Sequence, residues 1–184
     1  TLKELVTAAK AKSNMRASTN GMKASNHTAA QLFAQSAGFK YKAIPYGGTA
    51  DQLLALRQGE VQFTCAKVAD VAKLVSGDKP ELRILGAFDT KRLAEYPSVP
   101  TLGELGYYPN WYGSARALVA PAGTPDDVIA FYVDAFKKTM NDPQTIEQHK
   151  KAGLSMQFMD NKELGKLIKQ QEVFCRDKVS QLYK

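Results

Sequence analysis

Between residues 13 and 88 short apolar runs alternate with segments that carry helix-start and helix-stop signals, and no other feature constrains the fold as tightly. Residues 15–19, 41–45, 61–65 and 82–88 are predicted strands, the third with apolar residues at every second position, Val61, Phe63 and Cys65. Helices are predicted between them over about 25–37, 49–59 and 70–76. T-A-D-Q at Thr49 to Gln52 has the form of a capping box, and Gly59 supplies the stop. Parallel neighbours in one sheet need a crossover of about this length, so the β-α-β-α-β-α-β order predicts an α/β fold with a doubly wound parallel sheet.

The flanking segments read differently. T-L-K-E at Thr1 to Glu4 is a capping box that opens a helix to about residue 12. Residues 89–112 hold Pro97, Pro100, Pro109, Gly103 and Gly106, with one short helix started by T-L-G-E at 101–104, and form a connector. A longer strand is predicted over 113–120. Thr124 then caps a helix with Pro125 at its first position and Asp126 and Asp127 in its first turn, ending near Asn141. A helix over 143–152, a short strand over 154–158 and an amphipathic helix over 160–182, capped by Asp160 with Glu163 at N3, complete the chain. Residues 1–112 therefore read as a complete α/β lobe with its connector. Residues 113–184 read as a crossover strand and helices of a second, incomplete lobe, because their apolar stripes need a sheet this stretch does not encode.

Charge and cysteine usage remove several function classes. The net charge is +7. Residues 1–59 carry eight lysines and arginines against two acids, an excess that favours an anionic partner by long-range steering. No run of five basic residues and no helix-turn-helix signal points to nucleic acid. No apolar run approaches the length that crosses a bilayer. Cys65 and Cys175, like His27 and His149, are scattered without metal-ligand spacing, so no metal or cofactor is expected, and both cysteines read as core thiols. The chain begins at Thr1 without a basic, then apolar, leader, which fits a signal peptide removed or lying outside the segment. Nucleophile elbows, dinucleotide fingerprints and P-loops are missing, so an enzyme is not expected.

In an open parallel sheet, ligands sit beyond the carboxyl ends of the strands, and three predicted loops fall there. In the first, Ser18, Thr19 and Gly21 precede a helix that Ser25 or Asn26 could cap, with His27 one position further on. Free amides at such a helix start suit a carboxylate. The second is Tyr46, Gly47, Gly48 and Thr49, where paired glycines let backbone amides approach an anion. The third brings Lys67 just past the third strand. Each has a plainer reading: short reversals need glycine and polar caps in any case, His27 can serve as a helix-start residue bonded to its neighbours, and Lys67 can simply be solvated.

The phrases T-L-K-E-L at 1–5, S-T-N-G…S-N-H…Q-L-F at 18–33, I-P-Y-G-G-T-A at 44–50, Q-G-E-V-Q-F at 58–63, L-R-I-L at 82–85, Arg92 with P-S-V-P-T-L-G-E-L-G at 97–106, W-Y-G at 111–113 and A-P-A-G-T-P at 120–125 resemble, in order, the Bug family. These are the extracytoplasmic solute receptors of tripartite tricarboxylate transporters. The resemblance implies a periplasmic binding protein of the type 2-like, two-lobed Venus-flytrap kind. It implies a small di- or tricarboxylate or related organic acid as ligand, membrane permease subunits as partners and a periplasmic location. Family members carry a further N-terminal segment with a Gly-rich loop that forms the opposite wall of the cleft, and its absence here implies half a site. A homodimer exchanging C-terminal helices is one way to complete it. Lys23–Ala24 replaces the family's usual Gly-Ser, and Ala66–Lys67 stands where an acid often follows the third strand. Both departures favour a ligand with a second carboxylate over one bearing an amine. The competing readings are an effector-sensing domain of a transcriptional regulator, a truncated interaction module that no longer binds solute, and a small hydrolase.

Overall fold

In a computed structural model, which describes residues 1–184 except Ser13, Ser155 and Lys184, the chain divides into two compact units, Thr1–Gly113 and Ser114–Lys184. In the first, the opening capping box forms as read: Thr1 Oγ1 accepts from the Glu4 amide and the Glu4 carboxylate reaches back to the chain start. Helix α1 (Leu2–Ala11) then buries Leu2, Val6 and Ala9 along one face, the spacing of a helix stripe.

Three strands, β1 (Arg16–Thr19), β2 (Lys42–Pro45) and β3 (Phe63–Thr64), form a parallel sheet in the order β2-β1-β3. Helix α2 (Ser25–Ala37) links the first pair and α3 (Thr49–Arg57) crosses from β2 to β3. Because the chain steps off β1 in one direction and returns past it in the other, right-handed crossovers send these helices to opposite faces. Burial agrees. Ala17, Ser18 and Thr19 are all buried, although successive strand residues point to opposite faces. The α/β class with a parallel sheet is thus observed, and α2 spans the predicted residues, ending at Gly38 in the left-handed region that glycine tolerates best.

An aromatic cluster fills the core between sheet and helices. Phe33 of α2 meets Phe39, Phe63 and Tyr107 edge-on at centroid separations of 5.2, 6.2 and 5.8 Å. Such rings bury a large apolar area and gain further from their edge-to-face geometry.

Several expectations fail where a partner strand or cap was assumed. Residues 82–88 form no strand: the amides of Glu81 and Leu82 donate to Leu74 O, and only an isolated bridge, Ala87 to Thr101, follows. Within the run, the Leu82 amide is bound to Leu74 O and the Ala87 amide to Pro100 O, so it pairs with these loops and not with the sheet. The predicted helix over 70–76 shrinks to α4 (Val68–Val71) and succeeding turns. T-L-G-E at 101–104 makes both capping-box bonds but only a turn, with Arg92 paired to Glu104. Most instructive is Thr49–Gln52: helix α3 starts after Gly48 without a side-chain cap, because Gln52 is drawn into the interior.

In the second unit, helices α5 (Asp126–Met140), α6 (Pro143–Lys151) and α7 (Asn161–Asp177) start near the predicted positions. Asp142 caps α6, and Asp160 with Glu163 forms a full capping box on α7. Thr124 does not cap α5; its hydroxyl donates to Pro121 O. Helix α7 ends at Asp177 and is followed by a 3-10 turn over Val179–Gln181. Neither 113–120 nor the described part of 154–158 is a strand; Ser155 lies outside the described residues. A strand needs a neighbour for its hydrogen bonds, and residues 113–120 are exposed, Val119 by 92%. None of these three helices has a buried residue. Cys175 is consequently exposed, not a core thiol.

The aromatic cluster predicts a large cost for Phe33→Ala. Loss of about 3–5 kcal/mol is expected in urea unfolding followed by tyrosine fluorescence, whereas Ile168→Ala on the exposed face of α7 should change stability by less than about 0.5 kcal/mol.

Candidate functional site

Parallel pairing decides where the predicted loops go. Thr19 stands opposite Pro45 and Ser18 opposite Thr64, and the Tyr46 amide continues the β1–β2 ladder by donating to Thr19 O at 2.8 Å. The chain therefore leaves all three strands at one edge. The loops after β1, β2 and β3 start side by side there, and the reversal of strand order falls between β1 and β3.

Within the first loop, Gly21 has φ 134° and Lys23 φ 61°, the latter uncommon for a residue with a side chain. The bend is held from inside. Thr19 Oγ1 donates to Gly21 O at 3.0 Å, and the Lys23 amide donates to His27 Nδ1 at 2.8 Å. His27 is buried, and burial lowers its pKa from the ordinary 6.5. A ring nitrogen that accepts a hydrogen bond must be unprotonated, so bond and burial favour the same neutral form. The plainer reading of His27, a helix-start residue bonded to its neighbours, is the one observed.

Neither Ser25 nor Asn26 caps α2, which begins after Ala24 with no side-chain cap and no acidic residue in its first turn. The start of α3 after Gly48 is also uncapped, with Asp51 in its first turn. Both N-termini, with their partial positive charge, thus belong to the loop edge. Gly47 and Gly48 keep it open: a Cβ on Gly48 would meet nothing within 4 Å, and one on Gly47 would meet only Asp51 Oδ2, at 3.7 Å. Thr49 is the first residue of α3. Lys67, exposed, precedes α4 on the third loop.

Other predicted residues are committed elsewhere. Ser18 is buried and donates to Gln52 O at 2.9 Å; Asn26 is buried and donates from Nδ2 to Gln52 Oε1 at 2.9 Å. The Tyr46 hydroxyl donates to Glu60 Oε2 at 2.9 Å. Two grooves lie off this edge. One, of about 380 Å³, runs along Val75, Leu82, Ile84 and Val99 in the first unit, and one of about 260 Å³ along Phe158, Met159, Lys166 and Leu167 in the second.

Sequence reasoning missed Gln52 and Thr64. Gln52 lies among Leu53, Ala55 and Leu56, at a position that helical spacing turns inward. That signal was readable but was overridden by the capping-box pattern. Cys65, read as a core thiol, is half-buried, and desolvation pushes its pKa up to about 12.

A family model described as tripartite tricarboxylate transporter family receptor matches residues 1–179. The chain belongs to that family. A UPF0065 protein of Cupriavidus necator is 33% identical over 137 residues, which is 74% of this chain and 41% of that protein. A TctC solute binding protein from Polaromonas, solved without ligand, superposes with a TM-score of 0.84 at 23% identity, covering 98% of this chain and 62% of its own. An R. palustris protein solved with adipate gives a TM-score of 0.80 at 20% identity, covering 99% and 60%. These structures establish a partial periplasmic-binding-protein fold. The receptor-family chain described here spans 41% of the C. necator relative's length.

Burial of neutral His27 has a pH signature. The unfolded chain takes up the proton first, so stability declines as pH falls below about 6.5 and through the lower folded value. His27→Asn, which keeps an acceptor near Nδ1, is expected to flatten that part of the curve in urea titrations between about pH 7 and 5; an unchanged slope contradicts it.

Proposed function

We propose that this chain is the solute-binding part of a tripartite tricarboxylate transporter receptor that captures a small organic acid with two or more carboxylates. It acts without chemical change of the ligand, in the periplasm, and presents the ligand to membrane permease subunits. In this reading residues 1–112 form the ligand-binding lobe with its connector, and residues 113–184 return toward a second lobe. The observation that carries it is the pair of uncapped helix starts, α2 after Ala24 and α3 after Gly48, at one edge of a parallel sheet. Helix N-termini with free amides bind oxyanions. Family membership supports a receptor, and adipate, bound by the R. palustris relative, has the required chemistry.

Lys23 and Lys67 stand on the loops to either side of the strand-order reversal and would favour a second carboxylate. An exposed charge contributes only about 1 kcal/mol or less, so Lys67 should tune selectivity and not decide whether binding occurs. Thermal shift across adipate, succinate, citrate and matched monocarboxylates tests the proposal. Ligand at a hundredfold excess over Kd should stabilise by about 2.7 kcal/mol. Lys67→Ala is expected to weaken dicarboxylates about fivefold and leave monocarboxylates unaffected. Equal losses for both classes contradict the two-carboxylate assignment. No stabilisation by any acid leaves the interaction-module reading in its place.

A further inference from the structure

Gln52 is the most completely enclosed large side chain of the described residues, with 0% of its surface exposed. Its amide is satisfied on every side. Oε1 accepts from Asn26 Nδ2, while Nε2 donates to Thr64 Oγ1 at 2.5 Å and to Cys65 O at 2.8 Å. Thr64 Oγ1 passes its own hydrogen to Ser18 O at 2.9 Å, and Ser18 Oγ donates to the backbone carbonyl of Gln52. The direction of these bonds admits only one amide orientation. Cys65 O can only accept and the Asn26 Nδ2 can only donate.

The groups so joined belong to four elements. Asn26 sits in the first turn of α2, Ser18 near the end of β1, Thr64 and Cys65 at the end of β3, and Gln52 itself in α3. β1 and β3 flank the point where strand order reverses, so one side chain from a third element ties the start of α2 to the strand end across that point. Apolar packing would hold these elements together without fixing their spacing, because it is non-directional. Hydrogen bonds set distance and angle. Any apolar residue at 52 would leave a buried amide donor and a carbonyl acceptor unpaired.

We infer that Gln52 is a positioning residue. It sets the placement of the α2 N-terminus relative to the loop after β3, and thereby the affinity of the carboxylate site; the second half of this statement rests on the receptor reading above. Gln52 touches no ligand in this account and acts through Asn26, Ser18 and Cys65.

The test compares Gln52→Met, of similar length and volume, and Gln52→Glu, which keeps the Oε1 acceptor but has no amide hydrogens, with Leu53→Ala. Leu53 is the buried neighbour on the same helix and serves as a control for simple destabilisation. Adipate affinity is measured by calorimetry well below each unfolding midpoint, and backbone amide spectra are recorded without ligand. Both Gln52 variants are expected to lose about tenfold in affinity, while Leu53→Ala stays within about twofold of the parent chain. In the ligand-free spectra the amides of residues 25–28 and 64–67 should shift together in the Gln52 variants and stay in place in Leu53→Ala. If Leu53→Ala loses as much affinity as Gln52→Met, or if those amides do not move in the Gln52 variants, the positioning role is overturned. If the parent chain binds no dicarboxylate, the receptor reading falls, and the ligand-free spectra still decide whether Gln52 positions the two elements.

Discussion

Parallel pairing of β1 with a strand on either side is the constraint from which the rest of the first unit follows. Parallel neighbours cannot be joined by a tight turn, so every step between strands passes through a helix. Each of those helices begins just beyond a strand's carboxyl end. Thr19 opposite Pro45 and Ser18 opposite Thr64 therefore do more than hold a small sheet together. They bring three loops to one edge, put the positive ends of α2 and α3 beside them, and leave the amino end of the sheet to chain reversals such as Gly38. A site for an anion at the opposite edge would have to work against both helix dipoles.

Beneath that edge the structure is polar, not apolar. Ser18, Thr19, Asn26, His27 and Gln52 are all buried, and each makes an internal hydrogen bond. Two consequences follow. The loop geometry, including the left-handed Lys23, is held by directional bonds and not by collapse. And four of the side chains read from sequence as ligand contacts, Ser18, Thr19, Asn26 and His27, take part in those internal bonds. In the proposed receptor, contact with a carboxylate would fall to main-chain N–H groups and to exposed Lys67.

The legibility of this arrangement from sequence differs by element for physical reasons. Local signals read well: T-L-K-E, S-N-H-T-A-A-Q-L-F and D-N-K-E each specify a helix start or stripe through contacts only a few residues apart. Segments that depend on a distant partner read poorly. Residues 82–88 and 113–120 have strand-like composition, yet a strand exists only where another backbone accepts its hydrogen bonds, and sequence periodicity cannot supply that neighbour. Gln52 failed for the opposite reason. A local pattern, T-A-D-Q, competed with a tertiary network spanning Ser18 to Cys65, and the network prevailed because leaving Asn26 and Cys65 O unpaired in the interior costs more than an uncapped helix start beside solvent. Unit two shows the limit of pattern reading. Its helices form, α6 and α7 with side-chain caps and α5 without one, but Phe131, Tyr132, Ile168 and Val173 lie exposed, so the amphipathic stripe established helices without establishing what they pack against.

The central claim is that the amides following β1 and β2 form one surface that receives a carboxylate. Backbone amide spectra of the chain during titration with adipate test it most directly. Saturable shifts concentrated in residues 20–27 and 46–51, with smaller ones near Lys67, are the predicted result. Shifts confined to the far end of the sheet, near Lys12, Tyr41 and Gln62, or none at millimolar adipate, would contradict it.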